Sequence, residues 1–477
     1  MGPDQIPAFI LKTFADDLAK PLCLLYNRSY MEGILPAALK SANVIPIHKG
    51  GKKTLAKNYR PISLTPIITK IFERIYADTL IEHLDNHHIL SDTQHGFRKE
   101  RSTATNLLEF WNTITDYADQ ATPVSIIYTD LRKAFDSVPH DLLLQKLEAY
   151  GIKDRNLEWL RSYLTDRRQR VLINGVPSDY VEVESGVPQG GVLSGILFSL
   201  YINDLPKVIQ TCNVALYADD AKFFSKVENE NDIRLIQADI NALIKWCEAW
   251  RLNLSTEKCF FLYYKPRGSK HSVIPKYTMN NSELERRSEA KDLGVTISED
   301  LKFHKHIENI CKTTKSEIGR IRRSFVTRTP DFLRGLWKTY VRTHLEYCSS
   351  VWNPVYQMDI DKIERVQNQF TRLLKHSSVM TPDERNQYLK IPTHKERRDR
   401  GDLIETYKRI ENRNLFTIKP ASRKNHSKTI ETPKCKTNLR QHSFSVRVHK
   451  KWNELPEDVV NAATLNQFKT KLDDYLA

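Results

Sequence analysis

The chain of 477 residues contains no run of about 18 apolar residues, the length that a membrane-spanning helix requires. The N-terminus also lacks the basic stretch followed by an apolar core that defines a secretory signal. Cysteine is scarce: there are seven, an odd number, and no Cys-x-x-Cys pair occurs. We therefore expect neither a membrane protein nor a disulfide-stapled secreted domain, and we expect an intracellular location, nuclear or cytoplasmic.

Positive charge is the most prominent feature of the composition. Lysine and arginine number 73 against 58 aspartate and glutamate, which gives a formal net charge of +15. Residues 391–450 contain 16 Lys or Arg and 6 Asp or Glu, so this stretch alone has a net charge of +10. We expect nucleic-acid contacts here, with Arg397, Arg398 and Arg400 among the contact residues. A solvated, mobile surface region is the alternative interpretation.

The hydrophobic pattern predicts two structural regimes along the chain. Up to about residue 300, short apolar runs alternate with amphipathic stretches, which indicates mixed strands and helices. Beyond residue 300 the pattern is mostly helical, and residues 378–395 and 412–440 are polar and loop-like. The expected fold is therefore α+β, followed by a helical C-terminal region.

Two adjacent aspartates, Asp219 and Asp220, lie between two apolar, strand-like runs in the sequence VALYADDAKFF. Like charges at this distance repel each other, and a bound divalent cation removes the conflict. Oxygen ligands of this kind suit Mg²⁺, which often uses only one or two carboxylates. An ordinary hairpin turn is the alternative interpretation of this pair.

A third carboxylate changes the balance between these interpretations. Asp130 follows the apolar run VSIIYT, which predicts a buried strand, and it could meet the 219–220 pair across a small sheet. Three carboxylates on neighbouring strands match a two-metal site for phosphoryl transfer. One ion would lower the pKa of an attacking 3′-hydroxyl, and the other would stabilise the pyrophosphate leaving group.

Motifs in the same order resemble those of a known family. YADD, TDLRKAFDSV and SGVPQGGVLSGILFSLYINDLP resemble the palm motifs of reverse transcriptases, above all those of non-LTR (LINE-type, jockey-like) retrotransposons. Three further blocks agree, at residues 58–64, 94–98 and 292–295. The resemblance implies a right-hand polymerase with an antiparallel palm sheet. Fingers and palm would occupy residues 1–290, a helical thumb 295–380 and a helical basic extension 381–477.

The resemblance also implies roles for individual residues. The metal ions would be held by Asp130, Asp219, Asp220 and the Leu131 carbonyl, and Lys258 would donate a proton to pyrophosphate. The residues beside the incoming nucleotide, the template or the primer end would be Arg60, Lys70, Phe135, Pro188, Gln189, Gly190 and Tyr217. Phe135 would exclude a 2′-hydroxyl, with core packing as its alternative role. The primer grip would consist of Leu293, Gly294 and Val295.

The implied activity is RNA-directed DNA polymerisation, which extends a DNA primer with dNTPs on an RNA template. Its cofactor would be two Mg²⁺ ions, with Mn²⁺ as the alternative. We find no endonuclease motif, so target cleavage would come from a missing segment or another protein. Two other interpretations stay open: a non-catalytic nucleic-acid-binding remnant, and a group II intron-type reverse transcriptase with maturase function.

Overall fold

A computed structural model describes residues 2–267, 269, 274–375, 377–412, 415–420 and 426–476. Strands and helices alternate up to about residue 300 and helices follow, as predicted. The strands are β1 (Ser41–His48), β2 (Tyr59–Leu64), β3 (Val124–Thr129), β4 (Arg167–Ile173), β5 (Val176–Pro177), β6 (Val181–Val183), β7 (Asn213–Tyr217), β8 (Asp220–Lys226), β9 (Phe260–Tyr264), β10 (Thr278–Met279), β11 (Ser282–Glu283), β12 (Glu285–Arg286), β13 (Glu289–Asp292) and β14 (Val295–Ser298).

The helices fall into an early and a late group. The early helices are α1 (Ala8–Thr13), α2 (Ala15–Glu32), α3 (Ile67–Asn86), α4 (Thr103–Asp119), α5 (His140–Ala149), α6 (Asp154–Leu164), α7 (Ser194–Tyr201), α8 (Leu205–Val208) and α9 (Glu230–Ala249). The late helices are α10 (His304–Ser324), α11 (Pro330–Leu336), α12 (Arg342–Glu346), α13 (Ser349–Trp352), α14 (Gln357–Thr371), α15 (Pro382–Leu389), α16 (His394–Arg409), α17 (Asn438–Gln441), α18 (Phe444–Arg447), α19 (His449–Asn453), α20 (Glu457–Val460) and α21 (Leu465–Leu476). No helix in the described part of the chain is long and apolar enough to cross a membrane.

The palm sheet has the strand order β12-β9-β3-β8-β7, and the pairings of β3 with β8 and β9 are antiparallel. Its central strand β3 is buried because side chains on both of its faces are apolar. Ile127 packs into one core with α7 and α9, and its neighbour Ile126 packs into another with α4 and the late helices. The sheet therefore lies between two hydrophobic cores, which fixes the positions of its strand ends.

A second sheet, the fingers sheet, consists of β2, β1, β4, β5 and β6. In it, β1 pairs antiparallel with β2 and parallel with β4. Aromatic rings join the helices of this region: Trp159 on α6 stacks on Tyr76 of α3 with centroids 4.6 Å apart, and it meets Phe72 of α3 in a tilted arrangement at 4.7 Å.

The late helices pack directly on the palm. Leu107 and Phe110 of α4 share one hydrophobic core with Trp337 and Trp452. Polar contacts reinforce this packing, since the Asp119 carboxylate accepts hydrogen bonds from the backbone N–H groups of residues 436 and 437 at 2.7–3.1 Å. The late helices, which lie within the ranges expected as thumb and extension, therefore share a hydrophobic core with the palm.

One predicted loop is wrong. Residues 378–395 include the helix α15, whose first turn is fixed by a capping box: Thr381 Oγ1 accepts from the Glu384 N–H, and Glu384 Oε2 accepts from the Thr381 N–H. The sequence Thr-Pro-Asp-Glu is typical of a helix start, but the polar composition of the segment favoured a loop. The other predicted loop, 412–440, is non-helical in its described residues as far as Thr437, and its last three residues belong to α17.

Candidate active site

Three carboxylates meet at one edge of the palm sheet. The register of β3 against β8 brings Asp130, which follows β3, opposite Asp220, the first residue of β8. Asp219 lies in the tight turn from β7 to β8, next to Ala218, whose backbone is left-handed with φ of 54°. The structure thus brings together the three aspartates singled out from the sequence.

Crowding changes the proton affinity of two of these carboxylates. Burial raises the pKa of Asp219, and the charge of Asp130 adds to the rise. Burial raises the pKa of Asp220 to about 6, and repulsion from Asp219 adds to this shift. Both shifts express the cost of burying carboxylate charges, to which their mutual repulsion adds, and a bound cation would offset this cost.

Lys258 lies against the third carboxylate, with its Nζ 2.8 Å from Asp130 Oδ2. The segment that carries it is held to Asp130 by the backbone as well. The Ser255 N–H donates to the Asp130 carbonyl at 2.8 Å, and the Asp130 N–H donates to Cys259 Sγ at 3.4 Å. Leu131 forms a bridge with Leu254, and none of these bonds uses the Leu131 carbonyl, which the resemblance makes a metal ligand.

The donor chemistry of this edge fits divalent cations. Among the described residues, no group of three or more His, Cys, Asp or Glu side chains is already arranged to hold a metal ion. Carboxylate oxygens are nonetheless the ligands that Mg²⁺ prefers. The Lys258 ammonium, which donates a hydrogen bond to Asp130, already places one positive charge where a metal ion would lie. Asp130, Asp219 and Asp220 would therefore hold the ions.

The loop containing Pro188, Gln189 and Gly190 joins the palm to the fingers. Gln189 Nε2 donates to Asp136 Oδ1 at 3.1 Å, and the Gln189 carbonyl accepts from the Ser63 N–H at 2.7 Å. Gly190 has φ of 113°, and a Cβ there would lie 3.0 Å from the Ser63 carbonyl oxygen, so this position favours glycine. The loop is thus fixed between β2 and the segment after β3.

Phe135 lies half-buried behind this loop. Its ring stacks on Phe198 with centroids 4.5 Å apart and meets Phe97 edge-on at 6.2 Å. A Cβ on Gly195 would lie 2.3 Å from the Phe97 ring, so the glycine leaves room for that ring. These contacts give Phe135 a packing role, and discrimination against a 2′-hydroxyl stays a prediction.

Gln94 supports the YADD turn, a role that sequence reasoning missed. Its buried Oε1 accepts hydrogen bonds from the N–H groups of Gly96 at 2.7 Å and Ala218 at 3.0 Å. The His95 N–H donates to the Leu216 carbonyl at 2.9 Å. A Cβ on Gly96 would lie 2.5 Å from the Ala218 nitrogen. The block at 94–98 therefore shapes the turn that carries Asp219, although the sequence alone gave it no function.

The predicted primer grip is the tight turn between β13 and β14. Leu293 and Gly294 both have left-handed backbones, with φ of 44° and 89°. The Leu293 carbonyl accepts from the Tyr347 hydroxyl at 2.8 Å, which ties the turn to the late helices. Val295 is buried in the core that contains α4. The turn, with Tyr217 and Asp220, lines a cavity of about 60 Å³.

A buried ion pair in the wall of this cavity was also missed. Lys222 Nζ lies 2.6 Å from Asp292 Oδ2, and the side chains are only 4% and 7% exposed. The Tyr128 hydroxyl donates to the same carboxylate oxygen at 3.3 Å. Lys222 is two residues after Asp220 on β8, so the two side chains lie on the same face of the strand. Asp292 directly precedes the predicted primer-grip turn. The pair therefore joins the hairpin that carries Asp219 and Asp220 to the turn predicted as the primer grip.

The remaining fingers residues differ in position. Arg60 lies exposed on β2, and its charge acts to lower the pKa of Asp219. Lys70 lies in the first turn of α3 and is partly exposed; no contact with the three aspartates is described for it.

The structure departs from the expectation for the three C-terminal arginines. Arg397 Nη2 lies 2.8 Å from Glu346 Oε2, and Arg400 Nη2 lies 2.8 Å from Asp473 Oδ2. Arg398 is 4% exposed, so it cannot reach a phosphate in this conformation. The reason is that α16 packs between other late helices, which bury Arg398 and bring Arg397 and Arg400 against acids distant in sequence. Nucleic-acid contact by Arg397 and Arg400 stays a prediction.

The chain is similar in sequence to known proteins. The family model "Reverse transcriptase (RNA-dependent DNA polymerase)" matches residues 47–297. The RNA-directed DNA polymerase from the mobile element jockey of Drosophila melanogaster is 29% identical over 329 residues, which cover 67% of this chain and 36% of the relative. The corresponding protein of Drosophila funebris is 25% identical over 385 residues, which cover 78% and 41%.

A solved structure, apo telomerase from Candida tropicalis, aligns with a TM-score of 0.45 and 12% identity over 77% of this chain and 64% of that chain. The chain spans about two fifths of the length of the curated relatives that it matches. The family match covers more than half of the chain, from β1 to β14. The chain therefore belongs to the reverse transcriptase (RNA-dependent DNA polymerase) family and is similar to the polymerases of the mobile element jockey.

Proposed function

We propose that the protein is an RNA-directed DNA polymerase of a non-LTR retrotransposon, which extends a DNA primer with dNTPs on an RNA template. The observation that supports this most directly is the meeting of Asp130, Asp219 and Asp220 at one edge of the palm sheet. The raised pKa values of Asp219 and Asp220 mark an edge built to receive cations.

Each residue at this edge has a task in nucleotidyl transfer. Two divalent ions, Mg²⁺ or Mn²⁺, would supply activation of the 3′-hydroxyl and stabilisation of the leaving group. The three aspartates would hold them. Lys258, at 2.8 Å from Asp130, would be released toward pyrophosphate and donate a proton to it. Tyr217 and the Leu293 turn would position the primer end.

The partners follow from this reaction: an RNA template, a DNA primer or target, and dNTPs. Endonuclease activity is assigned to a further segment or to another protein. The proposed location is intracellular, in the nucleus or the cytoplasm.

Primer extension tests the proposal. The full chain is supplied with a DNA primer on RNA and on DNA templates, dNTPs and Mg²⁺. We expect incorporation on RNA, and a loss of at least about a hundredfold in Asp219→Asn, which keeps the side-chain size but removes the charge. Binding of primer–template without any incorporation by the parent would instead identify a non-catalytic remnant. Incorporation unchanged in Asp219→Asn would also contradict the proposal.

A further inference from the structure

A cluster of two arginines and a tyrosine lies on the fingers sheet, away from the catalytic edge. Arg168 and Arg170 alternate along β4 and therefore point to the same face. Their guanidinium carbons lie 5.7 Å and 4.8 Å from the centroid of the Tyr180 ring. Tyr180 directly precedes β6. Tyr180 remains 39% exposed. A hydrogen bond to the neighbouring strand β1 also fixes Arg170, since its Nε donates to Asn43 Oδ1 at 2.9 Å.

The same face of the sheet leads to the active site. Arg170 is paired with Asn43 on β1, and Ile47, two alternations further along β1, is paired with Arg60 on β2. Paired residues share a face, so Arg60 lies on the same face as the cluster. The charge of Arg60 acts on Asp219. From Arg60 to Tyr180 the face extends for roughly 20 Å, counted in strand spacings and residue rises.

The charge of this region suits a polyanion. The register places one acidic residue, Glu182, opposite Arg168 on this face, against three arginines at positions 60, 168 and 170. The segment of chain from Gly33 to Phe72, which contains β1 and β2, has no aspartate or glutamate. Its basic residues are Lys40, Lys49, Lys52, Lys53, Lys57, Arg60 and Lys70. The surface around β1 and β2 is therefore positive, although the charge count of the whole chain pointed to residues 391–450.

We propose that this face binds the unpaired template strand before it enters the active site, with a base stacked on Tyr180 and phosphates on Arg168 and Arg170. The inference rests on the proposed polymerase function. Aromatic rings and guanidinium groups along a positive track are the features that hold single-stranded nucleic acid without regard to sequence. Continuity with Arg60 gives the strand a direct path from the cluster to the catalytic edge.

Binding to primer–templates with different template overhangs tests this. The full chain is titrated by fluorescence anisotropy in EDTA and without dNTP, against a blunt duplex and duplexes with about 3, 6 and 12 unpaired RNA template nucleotides. We expect the parent to bind overhangs more tightly than the blunt end. Tyr180→Ala and Arg168→Gln should each reduce the affinity for overhanging duplexes about five- to tenfold and leave the affinity for the blunt duplex unchanged. Tyr180→Phe, which keeps the ring, should bind as the parent does.

The matched control is Arg234→Gln, which removes an exposed arginine from α9, 3.8 Å from Glu230. It should change neither affinity. An overhang gain that survives in both Tyr180→Ala and Arg168→Gln would overturn the proposal, and so would an equal loss on blunt and overhanging duplexes. If Tyr180→Ala does not fold in a thermal melt, Arg168→Gln alone decides. A parent that binds overhangs but incorporates no nucleotide would refute the polymerase function and leave this binding face standing.

Discussion

The Lys222 ammonium lies 2.6 Å from the Asp292 carboxylate, in a place where both side chains are almost completely buried. One residue is on the catalytic hairpin, and the other is at the start of the primer-grip turn. Removing one partner should cost about 3–5 kcal/mol of the free energy of unfolding, because the remaining charge stays buried without compensation. Asp292→Ala and Lys222→Met test this by chemical denaturation.

The double variant Lys222→Met, Asp292→Leu removes both charges and should recover most of that loss. Its matched control is Glu32→Gln, which breaks the exposed Arg28–Glu32 pair on α2, whose charged atoms are 2.8 Å apart. That change should cost less than about 1 kcal/mol. A double variant as unstable as the single ones would show that the charges do not compensate each other.

Gly96 controls the position of the YADD turn. Gly96→Ala would place a Cβ 2.5 Å from the Ala218 nitrogen, so the turn carrying Asp219 must shift. A displacement near 1 Å is expected to lower the rate of nucleotide incorporation by about a hundredfold. Single-turnover primer extension measures this, while binding of primer–template stays near the parent value.

The control for Gly96→Ala is Gly335→Ala on α11, where a Cβ meets no atom within 4 Å. Alanine there should leave incorporation unchanged and stabilise the helix by up to about 1 kcal/mol. Full activity in Gly96→Ala would mean that the turn tolerates the displacement.

Asp220 makes the metal-free protein less stable as the pH rises. Its pKa is raised from 3.8 to about 6, so between these pH values the folded chain holds a proton that the unfolded chain has released. Stability therefore falls as the pH increases through this window, and the loss is complete above pH 6. Asp220→Asn should reduce this fall, to which the raised pKa of Asp219 also contributes, and should be more stable than the parent in EDTA at about pH 7.5.

Thermal melts between about pH 4 and 7.5 measure this difference. Mg²⁺ should stabilise the parent more than the variant, since only the parent keeps all three carboxylates. Asp78→Asn, which removes an exposed carboxylate on α3 beside Arg74 but keeps Asp220, serves as the control and should retain the pH trend of the parent. A parent–variant difference that is the same at every pH would contradict the assignment to Asp220.

The sequence predicts those parts of the site that depend on local patterns of apolar and polar residues. The apolar run before Asp130 and the alternation around Asp219 and Asp220 fixed two strands, and antiparallel pairing brings their ends together. The α+β fold with late helices was predicted for the same reason. These features depend on residues close together in the chain.

The missed features join residues far apart. Lys222 and Asp292 are separated by 70 positions, and on its strand Lys222 is indistinguishable from an exposed alternating residue. Arg398 likewise belongs to a run of charges that composition assigns to the surface. Only the packing of α16 among the late helices shows that it is buried. The net charge counts charged side chains but does not show which of them already form ion pairs within the fold.

Two kinds of basic residue in the segment 391–450 should therefore behave differently. Arg398 is buried, and its Nη1 has no partner in the described structure. Lys395, Lys419, Lys434 and Lys450 are exposed, and no ion pair within the described chain involves them. Arg398→Gln should lower the melting temperature and leave the salt dependence of primer–template binding unchanged. Replacement of the four lysines by glutamine should do the reverse.

The measurement is the slope of log Kobs against log salt concentration, whose magnitude falls by about 0.7–0.9 for each phosphate that the protein no longer neutralises. A slope unchanged in the four-lysine variant would place the nucleic acid elsewhere, and the fingers sheet would then carry the charge-driven binding. An altered slope in Arg398→Gln, with an unchanged melting temperature, would show that the late helices open to expose this arginine. Because melting and salt slope are independent readouts, the two variants separate charge that stabilises the fold from charge that holds nucleic acid.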